Sequence, residues 1–413
     1  MPHIHIVGAG LAGLSAGLAL TDAGHRVTLY EAGPAAGGRC RSFFDSQLGL
    51  TIDNGNHLLL SGNRAAFAYL KTIGATDKMG GPKRACFPFI DLGTGTRWTV
   101  RPNAGPIPWW ILSSGRRVPH SRLSDYMSVL SVARTRNDTT TVAETLRHGW
   151  LYWRLLEPLT VAALNTPARD ALARSFGAVL RETLFRGGSA CIPRFPQQGL
   201  SGALVDPAVA TLRARGAEIH FSRRIAMLEV EGNRVVALNA ADGPVRVAPD
   251  EAVVLAVPPW MAKTLLPYLT VPDEFQSILN IHYRAVADPG EAGFMGIVRG
   301  TAQWVFVKAG HVSVTISAAN RLVDQDAEAI AAAAWPDVRV ALGLDGDMPA
   351  FRVVKEKRAT IAATAMQERQ RPPARTLLAN LALAGDWTAT GLPGTIEGAI
   401  RSGNTAAEQL CKG

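Results

Sequence analysis

A chain of 413 residues can bury a large core, and 47% hydrophobic against 19% charged residues excludes a disordered protein. The net charge of +9 raises nucleic acid as a partner. No basic run or aromatic–basic repeat supports that, so no nucleic acid is expected and an anionic membrane surface is the better fit. Cys40, Cys86, Cys191 and Cys411 lie far apart without a C-x-x-C pair, which argues against zinc or a disulfide framework, so no metal is expected.

In chain order, residues 3–7 predict a buried strand, and the helix after them opens on Gly8-x-Gly10-x-x-Gly13. A second strand over 26–30 ends in Glu31, followed by Ala32. Gly8 permits the tight turn, Gly10 lets backbone approach a pyrophosphate, and Gly13 lets helix and strand pack closely. The N–H groups around Leu11 and Ala12 then face the phosphates at the positive end of the helix, and Glu31 is placed for a ribose. This is a dinucleotide site. A strand starting at residue 3 leaves no room for a signal peptide, and no window is long and apolar enough to span a bilayer. A cytoplasmic protein, soluble or peripheral on the inner face of the membrane, is expected.

Further on, Gly37-Gly38 can present bare backbone, and Arg39 offers a fork of donors for phosphate or flavin oxygens. Residues 52–58 predict a strand and turn with Asn56 and His57 at its tip. Trp109-Trp110, flanked by aliphatic residues and by Arg116-Arg117, suits either an interfacial anchor or a core loop. Helices are predicted over 126–134, 142–147, 150–164 and 168–176. In the third, Trp150, Trp153, Leu156, Glu157 and Thr160 recur at helical spacing, a stripe suited to core packing or to a long apolar cavity. Strands follow at 217–221, 234–238, 245–247 and 252–257. A last strand at 381–384 runs into Gly385-Asp386 and a turn ending at Gly394, and a helix opens near Thr395-Ile396. No second Gly-x-Gly-x-x-Gly follows a strand, so any reductant must come from outside.

Gly8 to Glu31, Gly37-Gly38-Arg39-x-x-Ser42, Gly385-Asp386-Trp387-Thr388 and 394–403 together resemble the amine oxidase and phytoene desaturase superfamily of FAD flavoproteins. The resemblance implies an α/β fold: a Rossmann-type FAD-binding domain (1–75, 197–262 and 352–413) interleaved with an α+β substrate-binding domain (76–196 and 263–351). It also implies that backbone at Ile225 passes the adenine, and that Asp386 meets the ribityl–pyrophosphate region. Residues 54–60, 254–260, 357–360 and 385–393 are similar to the squalene-associated branch. That branch implies a triterpene alcohol, hydroxysqualene, as substrate, with loss of its hydroxyl and hydride delivery from reduced flavin. An acid must then assist the leaving hydroxyl. His57 and Glu157 are the candidates, although His57 could instead bond backbone or flavin, and Glu157 could sit at a solvated edge. Lys308 resembles the lysine that amine oxidases place near the flavin, and His311 reads as a turn residue. Rival readings are a desaturase or isomerase on the same fold, an amine oxidase, and a non-enzymatic prenyl-lipid carrier.

Overall fold

The computed structural model describes residues 2–412. Its first sheet has five parallel strands in the order Glu218–His220, Arg26–Tyr30, His3–Val7, Ala252–Leu255 and Leu381–Leu383. Near-continuous apolar runs suit strands covered on both faces. The opening helix Leu11–Asp22 and the closing helix Ile396–Cys411 share one face, and small residues let them approach closely. A Cβ on Gly403 would stand 2.2 Å from the Ala12 carbonyl oxygen. Ser15 ties the pair by donating to the Ile400 carbonyl (3.0 Å) and to Asn404 (2.7 Å). The other face carries a three-stranded antiparallel sheet, Ile225–Glu231, Arg234–Ala240 and Gly243–Arg246, and the helix Pro259–Leu265.

A second sheet has seven strands: Phe351–Ile361, Phe275–Tyr283, His311–Ile316, Trp304–Lys308, Phe294–Val298, Phe87–Asp91 and Thr96–Val100. Its core packs on one side against the helix Ala327–Leu342. Elsewhere an aromatic group, Phe89, Trp98, Phe294, Trp304 and Phe306, lies under a helical layer built from residues 109–182. Arg154 pins that layer to the sheet. Its buried guanidinium donates to Asp91 at 3.0 Å from Nε, and Arg299 meets the other Asp91 oxygen.

Three expectations about these elements are corrected. The strand Phe351–Ile361 lies in a segment assigned to the flavin domain, but its partner is Phe275–Tyr283 of the seven-stranded sheet, so a boundary at 352 cuts a strand. The helix expected over 168–176 is Ala173–Glu182, because residues 166–172 are drawn into turns held by Leu172 N–H on the Ala363 carbonyl (2.7 Å). The segment 150–164 is helical, but Tyr152–Leu156 forms one wide turn that shifts its phase. The expected stripe therefore splits, leaving Trp150 47% and Trp153 52% exposed while Leu156 and Thr160 are buried. The tryptophan pair also divides: Trp110 is buried against Tyr126, and Trp109 is 63% exposed.

Gly403→Val forces its side chain into the opening helix, and overpacking of this kind costs about 1–3 kcal/mol. Thermal unfolding should show a lower midpoint than wild type; an unchanged midpoint would contradict the close helix contact.

Candidate flavin site

The first turn leaves no room for side chains where the chain doubles back, and leaves space where a ligand belongs. Gly8 has φ +103°, and a Cβ there would lie 2.5 Å from the Ala256 carbonyl oxygen; one on Gly13 would lie 1.9 Å from that of Gly8. At Gly10 nothing stands within 4 Å of a Cβ position. Leu11 and Ala12 open the helix with no side chain capping its N–H groups, as an anion-binding terminus requires. The Gly37-Gly38 turn docks here, with Gly37 N–H donating to the Ala9 carbonyl at 2.8 Å. Glu31, expected to meet a ribose, is held by backbone at both oxygens. One carboxylate oxygen accepts the Ala9 N–H and the other the Gly33 N–H, each at 2.8 Å, which locks the turn before any ligand arrives. Ser222 N–H donates to the Gly33 carbonyl, which brings the segment before Ile225 alongside, and the Ile225 side chain is buried beneath it.

The distant turn closes on the same place. Arg39 donates from Nη2 to Asp386 Oδ1 at 2.6 Å and from Nη1 to the Ala359 carbonyl at 2.5 Å. Two residues expected to contact the cofactor separately thus hold one another. Beyond Gly385 and Asp386, Gly394 faces Asp386 Oδ2, and Thr395 caps the closing helix through the Gly398 N–H as Ile396 begins it. An uncapped helix start, glycine-lined space and the Arg39–Asp386 clamp together fit a dinucleotide such as FAD.

Beside these turns, residues 53–57 meet a polar floor on the seven-stranded sheet. Asn280 and His282 alternate along one strand, and His311, Ser313 and Thr315 along the next, in register as Asn280 with Thr315 and His282 with Ser313. Asn280 accepts from Asn56 N–H (3.3 Å) and Thr315 (2.9 Å), and donates to the Asn54 carbonyl (3.2 Å). Asn56 donates to Ser313 (2.8 Å) and Thr315 (3.0 Å). His282 Nε2 donates to the Asp53 carbonyl (3.0 Å). Lys308 pairs with Asp53 at 2.7 Å, 15% and 4% exposed respectively, and Asp53 also takes Ser42 Oγ (2.7 Å) and Leu200 N–H (2.8 Å). Burial alone would raise the Asp53 carboxyl, but Lys308 and these donors outweigh it and hold the group below the usual carboxylate range.

Burial lowers His57 to about 4, with Arg39 and Lys308 adding to the effect against Asp53. His282 falls to about 3 and His311 to about 4, again chiefly by burial. All three imidazoles are neutral near pH 7. Asn56 Oδ1, His282 Nδ1 and both His311 nitrogens are buried without a protein partner. Buried polar atoms seldom remain unpaired, so this floor is suited to a bound polar group or water.

His57 and Asn56 therefore reach the site, joined by Lys308. Glu157 opens the helix Glu157–Leu164 of the helical layer, where burial raises its carboxyl against the opposing effect of His148 and Arg169. His311 is part of the buried floor, not a turn residue. Asn280, His282, Ser313 and Thr315 escaped sequence reasoning, although polar residues at every second position of otherwise apolar strands were the available signal. Among the described residues, His3, His5 and Glu251 alone group as a metal would need. They lie at the opposite end of the first strand, where Arg26 donates to His3 Nδ1 at 2.8 Å and supplies the cation.

The family model described as flavin containing amine oxidoreductase matches residues 11–288 and 308–411. Hydroxysqualene dehydroxylase of Zymomonas mobilis is 46% identical over 409 residues, covering 99% of both chains. The protein of the same name from Rhodopseudomonas palustris is 45% identical, covering 98% of this chain and 97% of its own. An oxidoreductase structure from Methanosarcina mazei superposes with a TM-score of 0.74 at 16% identity, over 98% of this chain and 100% of its own, a likeness of fold. The chain belongs to the flavin-containing amine oxidoreductase family. It is an FAD-dependent oxidoreductase with the Rossmann-type α/β architecture of that family.

Two outcomes follow from the floor. Below about pH 6.5 the unfolded chain protonates histidines that the folded chain keeps neutral, so unfolding takes up protons and stability falls as pH drops toward 4. The unfolding midpoint should decline between about pH 7 and about pH 5, and a flat profile would contradict the neutral imidazoles. Lys308→Met strands the Asp53 carboxylate, a loss of about 3–5 kcal/mol, read as a lower denaturation midpoint in urea.

Proposed function

We propose that the protein reductively removes the hydroxyl of hydroxysqualene, giving squalene, water and oxidised flavin. The full-length identity to hydroxysqualene dehydroxylases carries this reading. The helical layer and its aromatic group offer apolar side chains to a polyene, and the uncharged imidazoles and unpaired polar atoms of the floor offer hydrogen bonds beside the flavin turns. When bound, FAD supplies hydride transfer at its isoalloxazine ring. Gly8, Gly10, Leu11, Ala12 and Gly13 would seat its pyrophosphate, with Gly37, Gly38 and Arg39 beside them. Glu31 and Ala32 would meet the ribose, Ile225 the adenine, and Asp386, Thr395 and Ile396 the flavin side.

Within this reading, His57 is a neutral hydrogen-bond donor to the departing hydroxyl rather than a store of a proton, since burial keeps it uncharged. Lys308 is held on Asp53 and compensates that carboxylate, so the pair adds no net charge to the pocket. The flavin domain is assigned residues 1–75, 197–262 and 362–413, with the intervening segments forming the substrate domain. The reductant is external, and a water-insoluble substrate places the work at a membrane surface.

The test is anaerobic incubation of purified holoprotein and reduced FAD with hydroxysqualene, followed by product analysis. Squalene and reoxidised flavin are expected; flavin-replete protein that leaves the alcohol intact would overturn the reading. His57→Ala should retain bound flavin by absorbance while turnover falls about 10²-fold. Undiminished turnover would remove His57 from the chemistry.

A further inference from the structure

The helical layer carries an apolar surface that its own fold does not cover. Of the fifteen large hydrophobic side chains left exposed among the described residues, seven fall between residues 107 and 153. Ile107, Trp109 and Leu112 project from the loop whose neighbour Trp110 is anchored in the core. On the helix Leu123–Arg134, Asp125, Val129 and Val132 face inward, while Leu123 and Met127 lie exposed on the opposite side. Trp150 and Trp153, exposed at and just before the wide turn, complete the surface. These elements are held together: Trp110 packs on Tyr126 at 5.6 Å, His120 on Trp150 at 5.4 Å, and Arg147 reaches Ser124 at 3.4 Å.

Charge selects the occupant. Residues 101–154 contain eight arginines and no lysine against three acids, a local net charge of +5 in a protein of +9. Among the described residues, only Arg101 and Arg154 of the eight pair with a carboxylate. The three acids are committed elsewhere: Asp125 and Glu144 accept the N–H groups that begin their helices, and Asp138 pairs with Arg174. Of the other six, Arg116 is half-buried and donates to the Arg101 carbonyl and Arg117 is half-buried, while Arg122, Arg134, Arg136 and Arg147 are exposed and free to meet phosphates. A second copy of the chain docked here about a two-fold axis would set this charge against itself. A bilayer with anionic headgroups answers both features, because tryptophans and aliphatic tips insert at the interface while arginines meet phosphate.

We propose that this face, formed by the 107–112 loop, the outer side of the helix Leu123–Arg134 and Trp150 with Trp153, docks on an anionic lipid bilayer. The docking rests on the patch and its charge. Its purpose, delivery of a membrane-dissolved triterpenol into the layer beneath, rests on the substrate reading above.

Holoprotein is sedimented with phosphatidylcholine vesicles with and without phosphatidylglycerol, without substrate. Wild type should pellet with the anionic vesicles at low salt, bind the neutral ones far less, and be released by high salt. The triple variant Trp109→Ser, Leu112→Ser and Met127→Ser should keep its flavin absorbance and its turnover of detergent-dispersed substrate, yet partition about tenfold more weakly. No sedimentation of wild type with anionic vesicles overturns the proposal, as does equal partitioning of the variant. A concentration-dependent dimer that the variant abolishes, without vesicle binding, assigns the face to a second copy and also overturns it. Binding without squalene formation leaves the docking intact and fails only the substrate reading.

Discussion

The joint between residues 53–57 and the seven-stranded sheet is the constraint on which the rest depends. Asp53 sits nearly without solvent, and a carboxylate in such a place is tolerable only if charge and hydrogen bonds are both supplied. Lys308 supplies the charge from the sheet, while Ser42 and Leu200 supply donors from the nucleotide-binding side. The pair therefore fixes the two halves of the molecule against one another, and the asparagine ladder from Asn54 and Asn56 to Asn280 extends the same seam. A hydrophobic seam could have held these halves together, but it would not have specified which strand pairs with which turn.

The flavin turns are arranged by a different means. Glycines make room, and polar side chains then take the strain of holding bare backbone in place. Glu31 locks the first turn through two N–H groups, and Arg39 ties the second turn to Asp386 from the end of the chain. The site is thus largely preformed, so little ordering remains when a dinucleotide binds.

The chemistry proposed for the pocket draws on the same desolvation. Burial keeps His57, His282 and His311 uncharged, so they meet a leaving hydroxyl as hydrogen-bonding groups and add no charge of their own beside a cationic carbon. Aromatic rings packed under the helical layer suit a long polyene, and the layer's outer surface suits the phase in which such a molecule dissolves. Interior and exterior of that layer answer one physical problem, the handling of a substrate that water does not carry.

Sequence alone determined the nucleotide fold, since the Gly8–Gly13 turn, its flanking strands and Glu31 are local features whose meaning lies in spacing along the chain. Both flavin turns and most strands were legible for that reason, as was the polar tip at Asn56 and His57. What only the tertiary structure decided were relations between segments hundreds of residues apart. These include the mutual hold of Arg39 and Asp386, the pairing of Lys308 with Asp53, and the burial of His311 in the floor. The fate of the tryptophans belongs there too, because one wide helical turn changes which side of a helix is outward, and periodicity read along a sequence assumes no such turn. Contacts of this kind depend on how sheets and helices are stacked in space, and the energy of burying a charge or exposing an indole is set by that stacking.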